Sequence, residues 1–90
     1  MTKELIFFYL QSCPYCLAAD QYLAELWQED PSYQKIPIRK IEETEQPEIA
    51  DRYDYYYVPC FWLDGVKLHE GACTKEDVRW VLDAARSSAK

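Results

Sequence analysis

Two of the four cysteines, Cys13 and Cys16, are separated by two residues in the segment Cys13-Pro14-Tyr15-Cys16. Two thiols at this spacing can close a small disulfide or supply half of a metal site. Pro14 suits the first position of a helix, because its missing N–H needs no partner there. Cys13 would then be the N-cap residue, beside the unpaired backbone N–H groups of the first turn.

The two thiols are expected to differ in exposure and therefore in role. From Cys16 onward the apolar residues recur three or four positions apart, which predicts one buried helix face: Cys16, Ala19, Leu23, Leu26 and Trp27. We expect the more accessible Cys13 to attack a disulfide, and Cys16 to attack the resulting mixed disulfide. Attack requires a thiolate, and a helix N-terminus favours an anion by about 0.3–1 kcal/mol.

Hydrophobic patterning predicts strands on both sides of this helix. Residues 5–10 form a continuous apolar run, typical of a strand buried on both faces. The helix is predicted to end at Asp30-Pro31, and a second strand to span 36–41. Pro37 lies inside that strand, so it must be an edge strand. Residues 42–53 predict a short acidic helix, with one solvated face that carries Glu42, Glu43, Glu45, Glu48, Asp51 and Asp54.

The second half of the chain predicts a hairpin followed by a helix. A third strand over 58–63 leads into Asp64-Gly65, a strong signal for a two-residue turn, and the chain returns through Val66 and Leu68. Thr74 is followed three residues later by Asp77, a variant of the capping box. The last helix then buries Val78, Val81, Leu82 and Ala85. The predicted fold is α/β, in the order β-α-β-α-β-β-α, with a right-handed crossover and sheet order 2-1-3-4.

Composition limits the classes of function. The 90 residues, 49% of them hydrophobic, are enough for one domain, predicted as 1–90. The net charge of −6 argues against nucleic acid as a partner. No apolar run reaches about 18 residues, so no membrane span is predicted. Because the N-terminal run is too short for a signal peptide, we expect a cytoplasmic protein. We expect a monomer, because nothing in the sequence demands a larger assembly.

A proline opens the third strand at Val58-Pro59, where it cannot donate to the sheet, and this placement predicts a cis bond. Together with Cys13-Pro14-Tyr15-Cys16 and Gly71-Ala72-Cys73-Thr74, this dipeptide resembles the dithiol glutaredoxins of the thioredoxin superfamily. The resemblance covers nearly the whole chain. It implies the thioredoxin fold, with four strands and three helices, and a thiol–disulfide oxidoreductase activity.

The resemblance also implies a binding groove for glutathione. Cys13 would form the mixed disulfide with glutathione, Tyr15 would line the groove, and Pro14 with Tyr15 would tune reduction potential and access. Val58, before Pro59, would pair its backbone with the glutathione cysteine, in the manner of strand addition. Gly71, Ala72, Cys73 and Thr74 would place the γ-glutamyl carboxylate at the N-terminus of the last helix.

Several positions depart from the family pattern. Leu10 stands where the family often has a lysine, Tyr57 where it often has threonine, and Ala72 where it has a second glycine. The stretch 71–78 also resembles thioredoxins. No bound cofactor is implied, and electrons would come from glutathione or from a flavoprotein reductase. The expected partners are therefore disulfide-containing proteins or glutathione.

A non-enzymatic interpretation is a metal- or partner-binding module with the same fold. Cys60, Cys73 and His69 are the residues that could complete a zinc site with Cys13 and Cys16. An iron–sulfur cluster is a further alternative, although Pro14 resembles the family members without a cluster. The sequence favours the redox interpretation, because no second Cys-x-x-Cys exists.

Other candidates have a structural and a functional interpretation. Cys60 is expected in the core, with a third redox thiol as the alternative, and Cys73 is expected to be packed rather than reactive. His69 is expected to be solvated and not catalytic. The tyrosines before Pro59 either pack beneath the loop or form an aromatic lip for a protein substrate: Tyr53, Tyr55, Tyr56 and Tyr57.

Overall fold

A computed structural model describes residues 4–88, and the predicted order of elements is confirmed with one addition. The addition is a short 3₁₀ helix between the first helix and the second strand. The elements are β1 (Leu5–Tyr9), α1 (Pro14–Glu29), the 3₁₀ helix (Pro31–Lys35), β2 (Ile38–Glu42), α2 (Pro47–Ala50), β3 (Cys60–Leu63), β4 (Val66–Glu70) and α3 (Lys75–Ser88).

The sheet has the order β2-β1-β3-β4, as predicted. β1 pairs in parallel with β2, from Leu5 opposite Ile38 to Tyr9 opposite Glu42, and antiparallel with β3. The carboxyl ends of β1 and β2 therefore meet at one edge of the sheet. This is the edge from which the chain leaves β1 toward Cys13.

Two predicted strands begin later than expected, and in each case a proline is the reason. Ile36 follows the 3₁₀ helix, so Pro37 lies just before β2, although its carbonyl still accepts a hydrogen bond from Leu5 N at 2.9 Å. β3 begins at Cys60 and not at Val58, because Pro59 has no N–H to donate to a ladder.

The core lies on both faces of the sheet. One face carries the larger cluster, in which Leu5, Phe7 and Phe61 pack against α1 and α3. The opposite face carries Phe8, Ile41, Ala50 and Cys60. The predicted stripe of α3 is fully buried, at 0% exposure for each member: Val78, Val81, Leu82 and Ala85. Among the described residues, no helix is both long and apolar enough to cross a membrane.

Local sequence signals fix the second half of the fold. Asp64 and Gly65 both have positive φ, 51° and 80°, as the two central positions of a type I′ hairpin turn require. The capping box is also present, since Asp77 N donates to Thr74 Oγ1 at 3.2 Å and Thr74 N donates to Asp77 Oδ2 at 2.9 Å.

The predicted acidic helix over 42–53 is wrong in its extent, because only Glu48 of the six acidic residues lies in a helix. Glu42 is the last residue of β2 and is only 7% exposed, and α2 is limited to Pro47–Ala50. The burial of this carboxylate is possible because peptide N–H groups and a hydroxyl donate to it.

Candidate active site

Cys13 occupies the position that the sequence predicts. It is the N-cap of α1 in an extended conformation, with φ −84° and ψ 118°, and Pro14 is the first helical residue. The backbone N–H of Cys16 donates to Cys13 Sγ at 3.4 Å. The first turn of the helix therefore offers a hydrogen-bond donor to this half-buried sulfur.

Cys16 is buried, at 2% exposure, and both residues of the pair are free thiols. Burial raises the pKa of Cys16 to about 12, and the neighbouring Cys13 contributes in the same direction. A hydrogen bond from the Leu10 backbone acts in the opposite direction and lowers this pKa. Cys16 is thus a protonated thiol at neutral pH, although the Leu10 backbone favours its ionised form.

A cavity of about 110 Å³ borders Cys16 on the side of α1 that faces β2. Its polar side chains include Asp20 and Lys40, which bond to each other and are both partly exposed. The cavity is lined by Phe7, Tyr9, Leu10, Gln11, Cys16, Leu17, Asp20 and Lys40. Cys16 therefore lines this cavity, although the residue is only 2% exposed.

The bond between Val58 and Pro59 is cis, as predicted. Because Cys60 lies opposite Phe8 in the β1–β3 ladder, Pro59 sits beside the end of β1 from which the Cys13 loop starts. Pro59 is buried, whereas Val58 is half-buried. The fold thus brings the cis bond and the Cys13 loop to the same end of the sheet.

The third predicted segment, Gly71 to Thr74, is tied to the cis proline. Gly71 N donates to Pro59 O at 2.9 Å, and Gly71 has a φ of 92°, a conformation that favours glycine. Thr74 N is already bonded to Asp77. Two of the four residues expected to hold a glutathione carboxylate therefore have their amides bonded within the protein.

Glu70, at the end of β4, holds the loop before the cis bond, a role that the sequence alone does not indicate. Its Oε2 accepts from Tyr57 N at 2.9 Å and from Tyr56 N. Its Oε1 accepts from Lys67 Nζ at 2.8 Å. Lys67 first, and then the two amides, lower the pKa of Glu70 to about 2. In sequence Glu70 is only a charged residue in a hairpin, because its amide partners are 13 and 14 positions away.

Of the four tyrosines before Pro59, two pack in the core and two are exposed. Tyr53 and Tyr55 pack against Phe8, with ring centroids 4.9 and 4.8 Å away. Tyr56 and Tyr57 are 83% and 69% exposed. The first pair fills the core beneath the loop, and the second pair projects from it. Tyr15, beside Cys13, is also exposed.

The remaining cysteines are packed, as expected. Cys60 is fully buried and Cys73 is half-buried against the larger core cluster. Burial raises the pKa of Cys60 to about 12 and that of Cys73 to about 11.

His69 is less solvated than the sequence predicts. The residue is half-buried, and its Nε2 lies 3.2 Å from the carbonyl oxygen of the exposed Ala72. Within 4–88, no three His, Cys, Asp or Glu residues are grouped to hold a metal ion.

Comparisons with known proteins agree with this geometry. No protein-family model matches the chain. Over 82 residues, 86% of its length, the chain is 35% identical to protein disulfide isomerase-like 1-4 of Oryza sativa subsp. japonica. It covers 15% of that protein.

Solved structures of similar shape include thioredoxins. The oxidised mitochondrial thioredoxin 3 of Saccharomyces cerevisiae has a TM-score of 0.71 and 25% identity, over 92% of this chain and 78% of that one. A thioredoxin-like protein from Clostridium perfringens has a TM-score of 0.66 and 26% identity, over 92% and 70%. The oxidised thioredoxin of Plasmodium falciparum has a TM-score of 0.71 at 16% identity, over 99% and 83%.

The sheet order, the cis proline and the cysteine pair at the start of α1 define a thioredoxin-like domain. The chain is a member of the thioredoxin superfamily.

Proposed function

We propose that this protein is a thiol–disulfide oxidoreductase that works through Cys13 and Cys16. The observation that carries the proposal is the difference between the two sulfurs. Cys13 Sγ is half-buried at the helix N-cap, where it accepts a hydrogen bond from Cys16 N, and Cys16 is buried one turn below. This arrangement supplies one accessible nucleophile and one thiol that can reach only the first.

The reaction has two displacement steps. The Cys13 thiolate attacks one sulfur of a substrate disulfide, and the other substrate sulfur leaves as a thiolate. Cys16 then loses its proton and attacks the Cys13 sulfur, which releases the second substrate thiol and forms the Cys13–Cys16 disulfide. The substrate gains two electrons and the protein loses two. Glutathione or a flavoprotein reductase would return the cysteine pair to the dithiol.

The exposed groups around Cys13 fit an extended peptide. Val58 precedes the cis bond, and its backbone would pair with the residues that flank the substrate cysteine. Tyr15 and Tyr57 are 61% and 69% exposed on the two segments that flank this end of the sheet. Exposed tyrosines supply contact area at a small cost in side-chain entropy, which favours a protein substrate.

Different features of this protein favour glutathione mixed disulfides and protein disulfides as substrates. The tetrad Cys13-Pro14-Tyr15-Cys16 supports glutaredoxin-like use of glutathione mixed disulfides. The bonded amides of Gly71 and Thr74, and the Asp77 carboxylate beside them, favour protein disulfides, because a glutathione carboxylate would have to compete with Asp77. We therefore propose protein disulfides as the main substrates, with glutathione as reductant or second substrate.

The test is to measure turnover on insulin disulfides beside turnover on a mixed disulfide of glutathione and a small thiol. The proposal expects both activities to disappear in Cys13→Ser. It expects Cys16→Ser to lose insulin reduction by the dithiol route and to retain reduction of the glutathione mixed disulfide. Unchanged activity in Cys13→Ser would refute the role of Cys13.

A further inference from the structure

A second cavity, of about 360 Å³, lies between the end of β2 and the loop that follows α2, and the proposed reaction does not use it. Its polar lining consists of two carboxylates and three tyrosines: Glu43, Asp51, Tyr53, Tyr55 and Tyr56. No lysine, arginine or histidine of the part of the chain that the structure describes lines it. The cavity therefore offers negative charge beside aromatic side chains, a combination that suits a cation.

The two carboxylates of this cavity have no basic partner within residues 4–88. Glu43 is half-buried, and its Oε1 accepts a hydrogen bond from the neutral hydroxyl of Tyr55 at 3.2 Å. Asp51 is exposed. Neither forms an ion pair with a lysine or arginine of this range, whereas Glu29 and Glu70 do. A positive charge in the cavity would therefore meet two carboxylates that no described side chain neutralises.

The negative charge of the chain is concentrated around this cavity. Residues 42–54 contain six acidic residues and one basic residue, Arg52, so they account for most of the net charge of −6. A surface with such a charge attracts cationic partners and slows its encounter with acidic ones. Charge complementarity therefore favours a basic partner at this surface.

The cavity adjoins the segments that carry the proposed reaction. Glu43 N donates to Tyr9 O at 3.0 Å, at the end of β1 from which the Cys13 loop starts. On the other side, Tyr56 lines the cavity and lies two residues before Val58, whose backbone is proposed to pair with the substrate. A side chain within a few residues of the attacked substrate cysteine would therefore lie beside the cavity.

We propose that this cavity binds a lysine or arginine side chain of the protein substrate, close in sequence to the cysteine whose disulfide is reduced. Glu43 and Asp51 supply the negative charge, and Tyr56 supplies aromatic surface next to the cis-proline loop. This inference rests on the proposed function and names its substrate class, which is protein disulfides in basic segments. The cavity takes no part in breaking or forming bonds, so it affects the choice of substrate and not the chemistry.

The test measures how fast three matched peptides oxidise the reduced protein in a single turnover. Each peptide is a ring closed by one disulfide, and the three differ only in the residues that flank the ring on both sides, which are lysine, glutamine or glutamate. The peptide disulfide gains two electrons and two protons and becomes a dithiol, while the Cys13–Cys16 dithiol becomes a disulfide. Acid quenching, alkylation and mass spectrometry at successive times give a rate constant for each peptide.

We expect the lysine peptide to react about fivefold faster than the glutamine peptide at low ionic strength, and the glutamate peptide to react more slowly than both. In the double variant Glu43→Gln/Asp51→Asn, the rates for lysine and glutamine peptides should come within about twofold of each other. The matched control is Glu4→Gln/Asp64→Asn, which has the same net charge and alters two exposed positions at the opposite end of β1 and β3. This control should keep the preference for lysine.

Equal rates for the lysine and glutamine peptides with the wild-type protein would overturn the inference. A preference that the cavity variant retains, or that it and the control lose equally, would also overturn it, because the cavity would then not be its source. If the double variant does not fold, Asp51→Asn alone replaces it: a reduced preference supports the inference, and an unchanged one overturns it. Failure of every peptide to oxidise the protein would refute the proposed function and, with it, this inference.

Discussion

The backbone N–H of Cys16 donates to Sγ of Cys13 across 3.4 Å, so the buried cysteine contributes a hydrogen bond to the sulfur that it is later expected to attack. This relationship follows from helix geometry, because an N-cap side chain accepts from an amide two or three positions further on. The two residues are therefore coupled by backbone structure before any disulfide forms between them.

Glu70→Gln tests whether the loop before the cis bond positions the substrate. The change weakens the acceptor for Tyr56 N and Tyr57 N, and removes the ion pair with Lys67. We expect KM for insulin disulfides to rise about fivefold while kcat stays within about twofold, because the cysteine pair is untouched. Glu48→Gln, at an exposed position on α2, is the control. A fall in kcat with KM unchanged would contradict this role for Glu70.

The same carboxylate predicts how stability depends on pH. The pKa of Glu70 is lowered from 4.5 to about 2, chiefly by Lys67, so its ionised form is favoured in the folded state. A group with a depressed folded-state pKa stabilises the protein above its unfolded-state pKa, and this stabilisation is lost as pH falls. The free energy of unfolding from urea titrations should therefore fall between pH 4.5 and about 2. In Glu70→Gln the decrease over this interval should be smaller, and an identical decrease would argue against Glu70 as its source.

Substitutions of Tyr57 and Tyr53 distinguish a tyrosine that contacts the substrate from one that packs in the core. Tyr57→Ala removes an exposed ring and should raise KM for protein disulfides, with little change in the free energy of unfolding. Tyr53→Ala removes a ring that packs on Phe8 and Trp62, and should lower the free energy of unfolding by about 3 kcal/mol. Thermal unfolding and insulin reduction of both variants give the comparison. Destabilisation by Tyr57→Ala as large as that by Tyr53→Ala would contradict the division.

Cys60 is expected to be a packing residue and not a third redox thiol. It is fully buried in β3, the strand between β1 and β4, and burial raises its pKa to about 12. Mass spectrometry after alkylation of the native protein at neutral pH should therefore find Cys60 unmodified, and denaturant should make it reactive. Cys60→Ala should retain disulfide reduction. Loss of turnover in a folded Cys60→Ala protein would restore the redox alternative.

The sequence could predict the elements whose signals are local. Cys13 at the N-cap, Pro14 at the first helical position, the Asp64-Gly65 turn and the Thr74–Asp77 capping box each depend on a few neighbouring residues, and all are present. The roles of carboxylates could not be predicted in this way. Glu42 bonds to an amide 31 positions away, and nothing in the acidic stretch around it distinguishes a buried residue from its exposed neighbours.

The partial burial of His69 could not be predicted either, because it depends on where the chain turns after the strand. Alternation of Leu68 and His69 in a strand predicts opposite faces, but it does not show that the chain turns back after Gly71. That turn brings the carbonyl of Ala72 within 3.2 Å of His69 Nε2.

The 3₁₀ helix could not be predicted, because Pro31 marks the end of α1 and equally suits the first position of a new helical turn.

The most direct test of the central claim is to identify which sulfur holds the substrate. Cys16→Ser should be incubated with an oxidised protein substrate, and the adduct digested and analysed by mass spectrometry without reduction. We predict one stable mixed disulfide at Cys13, and in the wild-type protein a Cys13–Cys16 disulfide with free substrate thiols. A mixed disulfide at Cys60 or Cys73, or failure of oxidant to link Cys13 to Cys16, would contradict this claim.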